Sequence, residues 1–301
     1  MNETAKKIYQ NILRVLPTKP ALYIMYFRGY HKLLNLKKPK YYGEKIQWTK
    51  LHGQLEELGP YVDKYEVRKY VERTIGSDHL FKVYGVYDNV EDIDFFSLPD
   101  QFVIKCTNGS QAVIICKDKN SLNIGETKRK IQKWLNDDFY KIKKEFQYKN
   151  VKNRILIEEY VEDDSGELRD YKFYCFDGKP YWYSVFTGRF SDKTVDTYTI
   201  DGKFIPDFKN GSAHVKTSKQ PIEKFEQLNT FIDYACKLSS PFSFVRVDFY
   251  LVNGVIYFGE LTFTDGAGCE PMFPIEKYDV QFGAKIPLMQ ILKNDRIREE
   301  L

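Results

Sequence analysis

The first 80 residues place apolar side chains at helical intervals. In KKIYQNILRVL, Ile8, Ile12 and Leu13 recur with the spacing of one helical face, and Pro17 then ends the run. The pattern predicts a mainly helical N-terminal region, residues 1–80.

A second helical pattern covers residues 61–76, where Val67 and Val71 share a side and Gly76 suits a C-cap. Between the two patterns lies the basic stretch RGYHKLLNLKKPK, residues 28–40. It fits a solvated helix and loop, or a surface that meets anionic lipid or a phosphate-bearing substrate. Both interpretations stay open.

From residue 81 the pattern changes to short runs rich in β-branched and aromatic residues, as strands require. The predicted strands and hairpins are FKVYGVY (81–87), FVIKCTNGSQAVIICK (102–117), RILIEEYV (154–161), DYKFYCFDGKPYWYSVF (170–186) and RVDFYLVNGVIYFGELTF (246–263). Helices are predicted at 125–147 and 223–239, and 189–220 reads as a long loop or substrate lobe. Hairpins with intervening helices indicate an α+β fold and not a doubly wound parallel sheet.

Composition sets few limits on function. Of 301 residues, 43% are hydrophobic and 16% aromatic, and the net charge of +4 permits an anionic partner without requiring one. Dispersed basic residues nearly balanced by acids argue against nucleic-acid binding. Five scattered cysteines without metal-binding spacing, and no apolar signal segment, favour a cytoplasmic protein with reduced thiols. A peripheral contact with the inner membrane surface is compatible with this.

The common catalytic motifs are absent, and charged residues within predicted strands remain. Lys105 precedes the small turn Asn108–Ser110, which suits a phosphate cradle or an ordinary hairpin. RILIEEYV ends in an acidic stretch that fits a purine-binding edge or a solvated loop. Asp170 and Lys172 alternate with aromatic residues and so share one face of their strand.

The hairpin at 246–263 gives the most specific signal. Arg246, Asp248 and Glu260 lie inside its strands, where buried charges are costly unless they are paired. Two carboxylates on neighbouring strands beside an arginine suit a Mg²⁺–polyphosphate site, because Mg²⁺ prefers oxygen ligands. A purely structural ion network is the alternative.

In this order, the four pieces resemble the ATP-grasp fold, specifically its TupA-like branch from bacterial surface-polysaccharide (capsule) synthesis. The resemblance runs from about residue 39 to residue 286 and implies two α+β lobes that clamp ATP. With the helical region at 1–80, it predicts a first lobe at 81–161, carrying the phosphate loop and adenine hinge, and a second at 162–301, carrying the metal and acceptor sites.

The resemblance also implies a role for each matching residue. The ATP phosphates would be held by Lys105, by the loop Asn108, Gly109 and Ser110, and by Lys172, while adenine would be bound by Glu158, Glu159 and the backbone through Val161, and the ribose by Asp170. Mg²⁺ would be carried by Asp248, Glu260 and Thr262, and the transferring phosphoryl group would be stabilised by Arg246. The acceptor site would be lined by Gly266, Gly268 and Arg189.

The sequence departs from the family pattern in two places. The usual metal motif Glu-x-Asn reads Glu260-Leu261-Thr262 here, and a hydroxyl is a poorer ligand than an amide oxygen. The helical residues 1–80 also stand where most of the superfamily has a parallel α/β lobe that binds the acceptor.

The resemblance implies an ATP-dependent carboxylate–amine ligase that acts through an acyl phosphate. Its substrates would be an amino acid or other amine and a uronic-acid-containing glycan or its lipid-linked precursor. Two rival interpretations stay open. A glycosyltransferase would use Asp163 and Asp164 for a nucleotide sugar, and a polysaccharide-binding scaffold would have no nucleotide affinity.

The metal assignment carries a geometric requirement, because Asp248 and Glu260 must lie on one face of the sheet. A two-residue Asn253-Gly254 turn in a regular ladder sets Val247 opposite Glu260 and sends Asp248 to the other face. We therefore predict a three-residue loop, with Leu251 paired to Val255 and all three charges on one side.

Overall fold

The helices gather in three parts of the chain. The computed structural model describes residues 2–163, 166, 168–188, 192–206, 208, 216–218, 221, 225–269, 271 and 276–293. Its α-helices are α1 (Glu3–Val15), α2 (Thr18–Tyr30), α3 (Tyr42–His52), α4 (Gly59–Val62), α5 (Val67–Ile75), α6 (Ile124–Leu135), α7 (Tyr140–Lys143), α8 (Leu228–Ser239) and α9 (Glu276–Gly283). In the part of the chain so described, no helix is both long enough and apolar enough to cross a membrane.

The pattern predicted as one helix at 61–76 is divided at Asp63. The Asp63 carboxylate accepts hydrogen bonds from the backbone N–H groups of Tyr65 and Glu66. This local pairing satisfies donors that begin α5, so the chain turns between α4 and α5. Gly76 ends α5 at a positive φ of 107°, as its position predicted.

The first sheet is antiparallel and lies between residues 83 and 159. Its strands are β1 (Val83–Tyr87), β2 (Phe102–Cys106), β3 (Val113–Cys116) and β4 (Ile155–Glu159), in the order β1-β4-β2-β3. Ile104, Ile155 and Ile157 are buried together with Ile131 of α6. The sheet and α6 therefore have a hydrophobic core of their own.

The helix predicted at 125–147 is wrong in its length. α6 ends at Leu135, and the short helix α7 covers Tyr140–Lys143. The side chain of Asn153 donates hydrogen bonds to the carbonyls of Leu135 and Asp137, which places the chain outside helical geometry. Tertiary hydrogen bonds here override a continuous helical pattern.

The second sheet has five antiparallel strands. They are β5 (Asp170–Phe176), β6 (Lys179–Thr187), β7 (Thr194–Thr199), β8 (Phe244–Val252) and β9 (Val255–Thr262), in the order β7-β6-β5-β8-β9. β5 is central and buried along its whole length. β7 forms an edge strand within 189–220, where a long loop or substrate lobe was predicted.

The main core joins the second sheet to helices from the N-terminal region. Tyr42 and Ile46 of α3, Tyr61 of α4 and Val71 of α5 are buried in the same cluster as β5, β6, β8 and β9. Phe173 on β5 packs there without solvent exposure. The helices of residues 42–75 thus share one core with the second sheet, and the fold is α+β as predicted.

Candidate functional site

The β8–β9 hairpin differs from the predicted register. Val252 pairs with Val255, so the turn is the two-residue Asn253-Gly254 turn, with φ of 49° and 81°. The predicted three-residue loop is therefore wrong. Two residues in the left-handed region match the twist of a tight hairpin, and Asn-Gly favours that conformation.

A β-bulge at Gly259 moves the acids back to one face. Phe249 pairs with Phe258, but Asp248 pairs with Glu260, which leaves Gly259 as the extra residue. A Cβ at Gly259 would lie 3.0 Å from the carbonyl oxygen of Asp248, so the close approach suits glycine. Asp248 and Glu260 thus share a face, as the metal assignment requires.

Arg246 is the centre of the site. Its Nε and Nη2 donate to the two carboxylate oxygens of Asp248, each at 2.6 Å. Nη2 also donates to Glu260 Oε1 and Thr262 Oγ1, both at 3.1 Å. Nη1 donates to Asp265. One buried guanidinium therefore fixes the positions of three carboxylates and a hydroxyl.

Lys172 approaches the same carboxylate from the neighbouring strand. It lies opposite Asp248 in the β5–β8 ladder, and its Nζ donates to Asp248 Oδ2 at 2.5 Å. Nζ lies 4.0 Å from Asp170 Oδ2. The structure thus brings the predicted residues Lys172, Asp170, Asp248 and Arg246 together on one buried face.

Electrostatic interactions keep Asp248 and Arg246 ionised. Burial raises the pKa of the Asp248 carboxyl, but Arg246 and Lys172 outweigh it and hold that pKa below its usual value. Burial likewise lowers the pKa of Arg246, while Asp248 and Asp265 raise it well above its usual value. These two charges are therefore present at neutral pH, as phosphate and metal binding require.

Asp265 is a site residue that sequence analysis missed. One carboxylate oxygen accepts from Arg246, and the other, Oδ2, is buried without a hydrogen-bond partner among the described residues. An unpaired buried oxygen is costly, and such groups often mark a place where a ligand binds. The sequence signal was the acid inside the glycine-rich stretch TDGAG, residues 264–268.

The predicted acceptor glycines lie in this turn, Asp265–Gly268. Gly266, Ala267 and Gly268 all have positive φ, from 54° to 59°. The side-chain amide of Gln47 donates to the carbonyls of Ala267 and Gly268, and the Lys50 ammonium donates to that of Ala267. Helix α3 thereby holds the strained turn in place.

Lys105 and Glu158 form an ion pair in the first sheet. Glu158 lies opposite Val103 in the β2–β4 ladder, so it shares a face with Lys105, two residues further along β2. Glu158 is buried. The structure therefore brings two predicted nucleotide-binding residues into contact, with each neutralising the other's charge.

The predicted phosphate loop is held from two sides. Asn108 is buried, and its amide donates to the carbonyl of Val151 and to Asn153 Oδ1 at 3.1 and 2.7 Å, while Ser110 is exposed. The Lys64 ammonium donates to the Gly109 carbonyl at 2.5 Å. The Asn108 amide thus secures the base of the loop, which leaves the tip near Ser110 open.

Lys64 is a second residue that sequence analysis missed. Together with Tyr148 and Glu260 it lines a small cavity. Burial lowers the pKa of its ammonium, and the nearby Glu260 carboxylate opposes that shift. Lys64 therefore contacts the predicted phosphate loop and lines the same cavity as an acid of the second sheet.

The remaining predicted residues take less distinctive positions. Glu159 accepts from the Lys82 backbone N–H at 2.7 Å at the end of β4, and Val161 is half-buried beyond that strand. Arg189 lies outside the described residues.

The carboxylates of Asp248 and Glu260 have the ligand chemistry of a partial metal site. Among the described residues, no group of three or more His, Cys, Asp or Glu side chains could hold a metal by itself. Asp248 and Glu260 supply two oxygen-rich groups on one face, which suits Mg²⁺ that is also bound by substrate phosphates. The residues fit a shared protein–phosphate site and do not form an all-protein cage.

The chain matches a family model described as TupA-like ATPgrasp over residues 44–287. No curated protein matches it significantly. Among solved structures, it is similar to D-alanine–D-alanine ligase from Bacillus anthracis complexed with ATP, at 15% identity and a TM-score of 0.43, covering 88% of this chain and 77% of that one.

Two other ligases are similar at comparable levels. Phosphoribosylamine–glycine ligase from Thermotoga maritima shows 14% identity and a TM-score of 0.37; the match covers 68% of this chain and 48% of that one, about half its length. The ATP-grasp ligase PsnB, solved with a phosphomimetic variant of its minimal precursor, Mg and ADP, shows 10% identity and a TM-score of 0.41, with 81% and 66% coverage.

The family match extends over most of the chain and includes both sheets and the site residues at 246–268. The α+β architecture with two antiparallel sheets agrees with it. The chain therefore belongs to the TupA-like ATP-grasp family.

Proposed function

We propose that the protein is an ATP-dependent carboxylate–amine ligase. A substrate carboxylate oxygen attacks the γ-phosphorus of ATP, and ADP leaves to give an acyl phosphate. An amine nitrogen then attacks the acyl carbon; the amide C–N bond forms, phosphate leaves, and the amine gives up a proton. The observation that carries this proposal is the buried Arg246–Asp248–Lys172 cluster facing Glu260.

The proposal assigns the cations to the polyphosphate chain of ATP. Lys105 and Lys172 each contact a buried carboxylate, Glu158 and Asp248 respectively. Phosphate oxygens accept charge-assisted hydrogen bonds from ammonium groups as carboxylates do. We expect nucleotide binding to exchange these partners, with the loop 108–110 closing over the phosphates.

The base and ribose of ATP are assigned by family resemblance. Glu158, Glu159 and the backbone to Val161 would bind adenine at the end of β4, and Asp170 would bind the ribose hydroxyls. β4 and β5 are consecutive in the chain but belong to different sheets. This supports a nucleotide held between a first lobe at 81–161 and a second at 162–301.

Mg²⁺ would be held by Asp248 and Glu260, with Thr262 beside them. Bound there, the metal would neutralise the phosphate charge during transfer. The Thr262 hydroxyl donates to Glu260 Oε1 at 3.1 Å and accepts from Arg246, so it orients the acid. Arg246 would stay beside the transferring phosphoryl group and stabilise the charge that develops on it.

The acceptor is proposed from the family alone. TupA-like membership suggests an amino acid or other amine and a uronic-acid-containing surface glycan or its precursor. The strained turn with Gly266 and Gly268 lies next to Asp265, whose unpaired Oδ2 could accept a hydrogen bond from the amine. Arg189 stays a proposed acceptor contact.

The direct test measures ADP release by purified protein with Mg²⁺, ATP, candidate uronic acids and amines. We expect nucleotide binding by calorimetry and ADP formation that depends on both substrates. Lys105→Met should abolish turnover, while Lys128→Met, which removes a surface ion pair with Glu91, should not.

Absence of ATP binding at millimolar concentration would overturn the proposal. So would preferential binding or hydrolysis of UDP- or GDP-sugars, which a glycosyltransferase predicts.

A further inference from the structure

Exposed apolar side chains concentrate at the N-terminal end of the fold. Seven lie in α1, α2 and the loop that follows: Ile8, Ile12, Val15, Tyr23, Ile24, Phe27 and Leu33. Ile8, Ile12 and Val15 follow each other at intervals of four and three residues, so they form one stripe along α1. Val15 is 83% exposed and Leu33 is 81% exposed.

These side chains are distinct from the ones that stabilise the helices. The buried cluster of this region uses other positions, among them Leu13 on α1 and Leu22, Met25 and Tyr26 on α2. A helix on the surface of a soluble protein normally has polar residues opposite its buried face. Here both helices carry apolar side chains on the solvent side as well.

Positive charge is concentrated in the same segment. Residues 1–40 contain nine Lys or Arg and one acid, Glu3, which gives a net charge of +8 against −4 for residues 41–301. Lys6, Lys7, Lys19, Lys37 and Lys38 are exposed.

The two arginines of this segment have structural partners. Arg14 pairs with Asp137 at 2.5 Å, and the Arg28 guanidinium lies 4.4 Å from the centre of the Tyr9 ring. These contacts join α1 to the first lobe and α2 to α1. The helical hairpin is therefore anchored to the body of the protein while its lysines stay exposed.

The combination of apolar side chains and excess lysine selects one kind of partner. A second copy of the same surface would bring +8 against +8, which is unfavourable. An anionic bilayer instead takes the apolar side chains into its interface and attracts lysines, each contributing about 1 kcal/mol near the surface.

We propose that this N-terminal surface, defined as the solvent side of α1, α2 and residues 31–40, docks on an anionic lipid bilayer. The 13-residue helix α1 is about 20 Å long and would lie along the interface. Docking would hold the enzyme at a membrane surface whatever reaction it catalyses, so this inference does not rest on the proposed function.

The test is flotation of the full chain with lipid vesicles. We expect binding to phosphatidylcholine vesicles that contain 30% phosphatidylglycerol, and little binding to phosphatidylcholine alone. Raising NaCl from 0.1 to 0.5 M should weaken the binding at least tenfold, because salt screens the lysine–lipid attraction.

Matched variants separate the contribution of the lysine charges to vesicle binding from that of the apolar side chains. Lys7, Lys37 and Lys38 changed to Gln should weaken binding roughly a hundredfold, about fivefold per charge. Arg129, Lys133 and Lys277 changed to Gln alter the net charge equally and should leave binding nearly unchanged. Ile12→Ser with Phe27→Ser should weaken binding at least tenfold, whereas Phe96→Ser, an 83% exposed site in the first lobe, should not.

Circular dichroism of each variant confirms that it is folded. The proposal is overturned if the protein does not float with anionic vesicles, or if the two charge variants lose binding equally. It is also overturned if ultracentrifugation shows a dimer that Phe27→Ser converts to a monomer, since a second copy would then cover the surface.

Discussion

The guanidinium of Arg246 and the carboxylate of Asp248 form a two-point ion pair between residues on the same strand. Lys172 adds a second cation to the same carboxylate. Removing Asp248 would leave two buried cations without their main partner, and breaking a buried pair in this way costs roughly 3–5 kcal/mol.

Neutralising Asp248 should therefore lower stability much more than neutralising Glu260. The Asp248 side chain is 2% exposed and that of Glu260 is 43% exposed. We expect Asp248→Asn to lower the free energy of unfolding by several kcal/mol and to abolish turnover. Glu260→Gln should abolish turnover with a loss of roughly 1 kcal/mol or less. Urea denaturation and ADP release measure the two effects, and equal destabilisation would contradict the assignment.

Lys64 should contribute to nucleotide affinity although it lies outside both sheets. Its ammonium holds the Gly109 carbonyl and lies beside Glu260. Lys64→Met should weaken ATP binding about tenfold, or roughly 1.4 kcal/mol, because the loop loses its tether and the site loses a positive charge.

Lys69→Met is the control, since Lys69 is exposed and pairs with Glu66 on the surface. Isothermal titration calorimetry provides both dissociation constants. Equal affinities for the two variants would show that the tether has no role in nucleotide binding.

The turn at Gly268 should be sensitive to a single added methyl group. A Cβ there would lie 2.8 Å from Ile46 Cγ2, at a φ of 59°. Gly254 also has a positive φ, 81°, but a Cβ would meet no atom within 4 Å. Gly254→Ala thus measures backbone strain alone, about 1 kcal/mol.

Gly268→Ala should cost about 1–3 kcal/mol more than Gly254→Ala, because overlap with α3 is added to the strain. Unfolding in urea gives both values. If the two substitutions lower the free energy of unfolding equally, α3 moves to accommodate the new methyl group without an energetic cost, and the predicted overlap is wrong.

Asp279 should make stability depend on pH between about 4 and 6. Burial raises the pKa of its carboxyl from 3.8 to about 6, although its hydrogen bond from the Tyr42 backbone N–H lowers it. The folded chain therefore holds this proton more tightly than the unfolded chain, so its contribution favours folding at pH 4 and is lost as pH rises through 6.

Asp279→Asn removes this proton and keeps an oxygen to accept from Tyr42. Relative to the wild type, the variant should become more stable by up to about 3 kcal/mol as pH rises from 4 to 7. The exposed Asp78→Asn serves as the control in urea unfolding at each pH. A constant difference between wild type and Asp279→Asn would contradict the assigned cause.

The hairpin shows how far local sequence signals reach. Asn253-Gly254 predicts a tight two-residue turn, and that turn is present. In a regular ladder, Asp248 and Glu260 can share a face only with a three-residue loop, and this is why the longer loop was predicted. Gly259, inside a strand otherwise rich in large side chains, was the available sign of a bulge.

Asp265 and Lys64 could not be assigned from local pattern. Asp265 gains its role from the side chain of Arg246, nineteen positions earlier, and Lys64 from the carbonyl of Gly109, 45 positions later. Charged residues inside strands can be recognised in the sequence because they interrupt a pattern of residues that are otherwise buried. Charges in turns and helix ends look ordinary until tertiary packing places them.

The two sheets differ in how independently their hydrophobic cores can change. The first sheet and α6 bury their own cluster around Ile104 and Ile131, whereas the second sheet completes its core with Tyr42 and Val71 from the N-terminal helices. Changes inside the first of these clusters can therefore be compensated within the first sheet and α6. Residues 42–75 must instead evolve together with the second sheet, and any shortened version of the enzyme must begin before Tyr42.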